Sequence, residues 1–440
     1  MAISRRSFLY GLGASALLPS FGWSMGNSNG SNPQGYKALI CVYLIGGNDG
    51  FNMLIPNDDT HYKEYKKARK SIAIPQNKLL PAGLTGVDSL GNDVEFGLHP
   101  SMKAMQTLCN KGYVNAVLNC GVLKKPMTKG QTEYAPGMLF SHNSQKDEWL
   151  KGNANATDST GWGGRLMEQL VGTENSTVLP PLFSMSGATR YFNSGVKSNA
   201  YKGSHVESLE FRSPEITDIY KTMIEQDDVN KGEFHRLFAD VTRDSVNYSE
   251  ISSKVFATDD EPILKNSDYN LAQQFNSVMK FIKARETLGQ NRQIFFVTLD
   301  GFDTHRNQGG THYRLLETLS DSINRLYSSL ESQGLEANVT TVTMSDFGRR
   351  IQPNASGTDH GWGSNQLVIN GGSLIPGTTG TWPSLAEGSD DDYSTGRILP
   401  STSVDQIGAT LANWMGVSNS DMSKVFPSLS NFYPKILDFI

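Results

Sequence analysis

The chain has 440 residues, 39 Lys and Arg against 44 Asp and Glu, and a formal net charge of −5. There is no basic block, which argues against nucleic acid as a partner. Its three cysteines, Cys41, Cys109 and Cys120, include no C-x-x-C pair, so a thiolate zinc site is not supported.

The start, Ser4-Arg5-Arg6-Ser7-Phe8-Leu9, reads as a twin-arginine export signal. The apolar stretch that follows, Phe8 to about Leu18, is too short to span a bilayer. Residues 1–26 are therefore expected to be a signal peptide, cleaved near residues 24–30. The Gly/Ser/Asn-rich residues 27–35 are expected to form a flexible leader. These features predict a periplasmic or otherwise extracytoplasmic location. About 410 residues remain, long for one domain but within reach of a large α/β enzyme. No later apolar run is long enough to cross a membrane, so no stable span is expected after cleavage.

Residues 37–45, KALICVYLI, read as a buried strand that carries Cys41 as a buried thiol. Met102, Met105 and Leu108 recur at helical spacing, Gly112 ends that helix, and 113–120 reads as the next strand. Cys109 and Cys120 could pair in an oxidising compartment. Residues 122–160 are polar and read as irregular. A strand is expected at 182–185. Ser213-Pro214-Glu215 opens a helix with a cap, a proline and an acid.

From Ile216 to about Leu288 the pattern is mostly helical, with Leu271, Phe275, Val278 and Ile282 on one core-facing stripe. Residues 188–265 are the candidate insertion within a domain spanning 36–440. Strand 294–299 precedes a helix carrying Leu315, Leu319, Ile323, Leu326 and Leu330. Strands 339–344 and 366–369 follow, then a helix at 404–415 closed by Gly416. This order predicts right-handed crossovers and a largely parallel sheet covered on both faces.

Three of these strands end in acids. Asp49 follows the first, in Gly46-Gly47-Asn48-Asp49-Gly50-Phe51-Asn52. Asp300, Asp303 and His305 follow 294–299, and Asp346 follows 339–344. Asp359 and His360 come shortly after. In an open α/β sheet, ligands bind beyond the carboxyl ends of the strands. Like charges about 4 Å apart repel by about 4 kcal/mol at an effective dielectric of about 20. Carboxylates that converge there need a cation, and carboxylate plus imidazole suits a divalent metal. A lone Asp after a strand is commonly a turn residue or helix cap; the repetition carries the metal reading.

The twin-arginine start, GGNDGFN, SHNSQ at 141–145, LDGFDTH, SDFGRR, DHGWG and the late TGRILPSTSVDQIGATLANW together resemble the bacterial domain-of-unknown-function-1501 family. That family looks like a branch of the alkaline phosphatase and sulfatase superfamily. The resemblance implies an α/β fold, a three-layer αβα sandwich with a largely parallel central sheet and a metal site at the strand ends. It implies Asp49 as the first-strand ligand toward a second metal, and Asp303, His305 and His360 as ligands of the first. Asp346 matches the Asp at the end of the next strand, but Phe347 stands where phosphatases place a His. The second site is then weak, absent, or completed by Asn52 or Asp359.

Superfamily members place a Ser, Thr or modified Cys nucleophile at a helix start. Ser141 is the candidate here, with helix capping as its simpler role. His142 is a candidate proton donor, and Arg349 and Arg350 are candidates to grip a phosphate or sulfate oxygen. The expected activity is a metal-dependent hydrolysis of phosphate or sulfate esters, small or polymeric, using one or two ions of Zn, Ca or Mg. The alternative is a non-catalytic, metal-containing periplasmic binding protein on the same fold.

Overall fold

The computed structural model describes residues 35–154, 157, 159–170, 175, 179–186, 191–196, 201–202, 219, 222, 232–257 and 270–440. The signal peptide with Arg5 and Arg6, residues 27–34 of the leader and the helix start at Ser213-Pro214-Glu215 lie outside them. The candidate insertion at 188–265 is described only in part.

The nine strands of the main sheet are β1 (Lys37–Ile45), β2 (Val114–Gly121), β3 (Leu182–Ser184), β4 (Tyr201–Lys202), β5 (Arg292–Asp300), β6 (Val339–Ser345), β7 (Ser364–Ile369), β8 (Gly377–Thr379) and β9 (Thr402–Ser403). Their order is β8-β2-β7-β6-β1-β5-β3-β4, with β9 also paired to β2. Pairing is parallel throughout except at β7, which runs antiparallel to both β2 and β6. The central sheet is thus mostly parallel, with one reversed strand that the sequence pattern did not reveal.

The principal helices are α1 (Asp59–Arg69), α2 (Lys103–Asn110), α3 (His142–Lys151), α4 (Trp162–Leu170), α5 (Glu233–Phe256), α6 (Asn270–Lys283), α7 (Gln308–Glu331) and α8 (Val404–Met415). The two-residue alternation of β1 divides them into two layers. Ala38, Ile40, Val42 and Leu44 face the core shared with α2, α6 and α7. Leu39, Cys41 and Tyr43 face the core shared with α3, α4 and α8. On α7 the buried stripe is Leu316, Leu319, Ile323, Leu326, Tyr327 and Leu330, with the expected Leu315 only half-buried.

Two expectations need correction. Cys109 and Cys120 do not pair. All three cysteines are free, and these two sit in different layers, Cys109 with the α2 side and Cys120 with the α3 side. Residues 122–160 also hold regular structure. Ten of them form α3, ended by Gly152 in the left-handed conformation (φ 58°), and buried Trp149 and Leu150 anchor it. A small four-stranded sheet, built from 54–56, 80–88, 93–98 and 381–382, was also not anticipated.

Register places the site. Ile45 of β1 is level with Asp300 of β5, and Leu44 with Ser345 of β6. The loops leaving these three strands therefore emerge side by side. They pack tightly: a Cβ on Gly46 (φ +113°) would lie 2.4 Å from the Asp303 backbone nitrogen. Only glycine allows both that dihedral and that approach.

Candidate metal centre

The half-exposed carboxylate of Asp303 lies at the centre of a group of imidazoles. Its Oδ1 is 3.1 Å from His305 Nε2 and 3.3 Å from His360 Nε2, and its Oδ2 is 3.5 Å from His142 Nε2. One ligand atom from each of His142, Asp303 and His360 can be chosen so that all lie within 4.8 Å of one another. His305 Nε2 and His360 Nε2 are 2.9 Å apart. Phe347 lies against the rings of His142 and His360, with centroids 4.8 and 4.5 Å away, and forms an apolar wall.

Each ring is held from behind through Nδ1. His142 meets Asp346 Oδ2 at 2.7 Å, His305 meets Asp359 Oδ1 at 3.1 Å, and His360 meets the Phe140 carbonyl at 2.7 Å. A carbonyl can only accept, so His360 carries its proton on Nδ1 and, when neutral, has a lone pair on Nε2. Burial lowers the His360 pKa, which favours that neutral form. Its lone pair then faces a second imidazole nitrogen and a carboxylate oxygen whose charge is balanced by Arg349 on its far side, so the facing lone pairs need a cation or a proton between them. A divalent cation meets that need, and outer partners on Nδ1 are the usual way a metal-ligating imidazole is oriented. The residues present therefore fit one metal ion held by His142, Asp303 and His360, with His305 Nε2 beside them.

The elements explain these positions. α3 packs on the α3-side layer through Trp149 and Leu150, and its first residue is His142, at the level where β6 gives way to Asp346. Phe140 takes a left-handed backbone (φ 70°), unusual for a bulky residue. Its carbonyl bonds His360, and the Arg397 guanidinium lies 4.7 Å from its ring centroid.

The electrostatics follow from the same contacts. Burial alone would raise the Asp303 carboxyl, but the Arg349 hydrogen bond and charge outweigh it and hold the pKa below its ordinary value. The Asp346 hydrogen bond raises His142, against the opposing effect of burial. Burial also pushes Asp359 upward, and bonds from Asn354 and His305 overcome it.

The other expected site residues stand elsewhere. Asp300 is exposed, bonds the Gly301 amide at 2.7 Å and stays outside the group. Asp346 is buried, and both its oxygens are engaged, Oδ1 by the Tyr43 hydroxyl at 2.6 Å and Oδ2 by His142 and the Gly46 amide. It supports a ligand instead of facing the open site, and Asp359 does the same for His305. Arg349 is fully buried. It bonds Asp303 at 2.9 Å, the Gly46 carbonyl, and both oxygens of Thr358, so it is committed to the protein and does not reach out to a substrate. Asp49 is also buried and pairs with Arg69 and Gln308, apart from the imidazoles. Ser141 is the N-cap residue of α3, half-exposed, and its hydroxyl makes no capping bond.

Sequence reasoning named Arg350 beside Arg349 but missed Arg69, Gln308 and the second rim arginine, Arg397. Arg397 donates to the His360 carbonyl at 3.2 Å and to Thr395 Oγ1 at 2.6 Å. Arg350 donates to the Thr395 carbonyl and lies 3.9 Å from Asp359. An arginine at the end of α1 carries no local signal of its distant partners.

A family model described as "Protein of unknown function (DUF1501)" matches residues 36–423. No curated protein matches the chain. Among solved structures, the chain is similar to the lipoteichoic acid synthase LtaP from Listeria monocytogenes, with 9% identity, 90% of this chain and 77% of that chain covered, and a TM-score of 0.39. It is similar to PsFucS1 sulfatase from Pseudoalteromonas sp., with 11% identity, 88% and 69% covered, and a TM-score of 0.35. Alkaline phosphatase from the Antarctic bacterium TAB5 gives 9% identity, 90% and 99% covered, and a TM-score of 0.34.

Proposed function

The chain belongs to the DUF1501 family of proteins of unknown function, and for this member we propose an exported, metal-dependent hydrolase of phosphate or sulfate esters. The observation that carries this reading is the convergence of three Nε2 atoms on one half-exposed carboxylate, with every Nδ1 fixed from behind. Imidazole-rich donors suit zinc, whereas calcium and magnesium favour all-oxygen sets. Export rests on Arg5 and Arg6 and the short apolar stretch after them.

A bound cation would supply Lewis acidity to an ester oxygen. Around it, the protein's own groups have separable tasks. Asp346, Asp359 and the Phe140 carbonyl hold the rings in place. Phe347 keeps water from one face. Ser141, at the N-terminus of α3, is the candidate nucleophile, and its position favours an alkoxide over an alcohol. Arg350 and Arg397, half-exposed at the rim beside His360, are placed to meet the anionic ester. Of the pair the sequence suggested for this role, Arg350 keeps it, and Arg397 stands in for Arg349.

The test is a panel of chromogenic phosphate monoesters, phosphate diesters and sulfate esters, offered to the zinc-loaded protein. Turnover of at least one, lost on chelation and restored by zinc, is expected. Zinc binding without turnover of any ester would leave the binding-protein reading instead.

A further inference from the structure

The first-strand acid is already neutralised from within. The Asp49 and Arg69 side chains are both 0% exposed and form an ion pair. Every nitrogen of the guanidinium is engaged: Nε donates to Asn52 Oδ1 at 3.1 Å, and Nη1 to the carbonyls of Arg350 and Ile351 at 3.2 and 3.0 Å. Gln308 Nε2 donates to the same Asp49 oxygen.

From there a continuous chain of protein hydrogen bonds leads to Asp303. Thr358 donates to Gln308 Oε1 at 2.7 Å, Arg349 Nε donates to Thr358 at 3.2 Å, and Arg349 Nη1 reaches Asp303. The residues that might complete a second ion site are taken as well. Asn52 Oδ1 accepts from Tyr65 and Arg69, and Asp359 Oδ1 accepts from Asn354 and faces His305. Asp49 Oδ1 is buried with no protein partner. A second divalent ion there would face the Arg69 charge in a buried, low-dielectric place where repulsion is strong.

We propose that this centre binds one divalent ion per chain, and that the Arg69 guanidinium, fixed beside Asp49, occupies the place a second ion would need. The proposal rests on the metal-dependent reading above and narrows it. The ester is met by one ion and by arginines, not by a pair of ions spanning two oxygens.

The experiment is a zinc titration of the chelator-stripped mature protein, followed by calorimetry and elemental analysis. Beside it stands the double variant Asp49→Leu/Arg69→Met, which removes both buried charges and leaves none unpaired. The expected result is one zinc per chain in the parent and one in the variant. Two zinc ions in the parent, with one lost in the variant, would overturn the single-ion proposal and leave the hydrolase reading standing. No zinc in either would overturn both. If the double variant does not fold, the parent stoichiometry alone decides.

Discussion

His142 donates from Nδ1 to Asp346 Oδ2 across 2.7 Å, and this bond turns its other nitrogen toward Asp303. The start of α3 thus supplies an imidazole to the site beside Phe347, which follows β6. Asp346→Asn should leave the fold intact and weaken zinc binding by about 10- to 100-fold, the usual cost of losing an outer partner. Competition against a chelating dye measures this; an unchanged affinity would mean that Asp346 does not orient the ring.

Ser141 separates chemistry from capping. Its hydroxyl makes no capping bond, so Ser141→Ala should cost well under the ~1 kcal/mol of a lost cap. Ester hydrolysis should fall by orders of magnitude. Thermal melting and turnover on the same preparation check both. A variant that keeps its activity removes Ser141 as nucleophile.

Much of this architecture was legible because strands and helices carry periodic apolar patterns. β1 and α8 lie where the sequence places them, at Lys37–Ile45 and Val404–Met415. The acids after β1, β5 and β6 were visible for the same reason, since each closes an apolar run. What the sequence could not convey was direction and partner. Asp49, Asp303 and Asp346 look alike in sequence, yet one is paired with an arginine 20 residues on, one faces solvent and one backs a histidine. The local pattern did not reveal α3, because HNSQKDEWLK is polar apart from Trp149 and Leu150; only the family resemblance implied a helix start at Ser141. The reversal of β7 depends on pairing across the sheet, which no local pattern records.

Asp405 makes the stability depend on pH in the neutral range. Burial pushes its carboxyl up to about 7. The folded state therefore holds this proton more tightly than the unfolded chain, whose Asp titrates near ~3.9. Stability from this group is full below about pH 4 and is lost as pH rises to about 7. Asp405→Asn should be nearly neutral at pH 4 and stabilising at pH 8, by up to roughly 4 kcal/mol. Urea unfolding at the two pH values tests it; a variant equally destabilised at both would show that the buried charge costs nothing.

His312 and His99 act in the opposite direction. Burial lowers their pKa values to about 4 and about 3. The unfolded chain takes up these protons near pH ~6.5 and the folded chain does not, so stability falls as pH drops from there toward 4. His312→Gln keeps a donor for Asn48 Oδ1, which His312 Nε2 meets at 2.9 Å. In chelated protein this variant should lose less stability than the parent between pH 7 and pH 4.5. Identical slopes would assign the acid sensitivity to other groups.

The central claim is that His142, Asp303 and His360, with His305 beside them, form a metal centre, and the most direct measurement is zinc retained after dialysis against a chelator and reloading. The parent is predicted to take up zinc and to melt at a higher temperature with it, because the ion stabilises only the folded state. Asp303→Ala combined with His360→Ala should retain little or none and show no zinc-dependent melting shift. A double variant that holds as much zinc as the parent, or a parent that takes up none, would contradict the account.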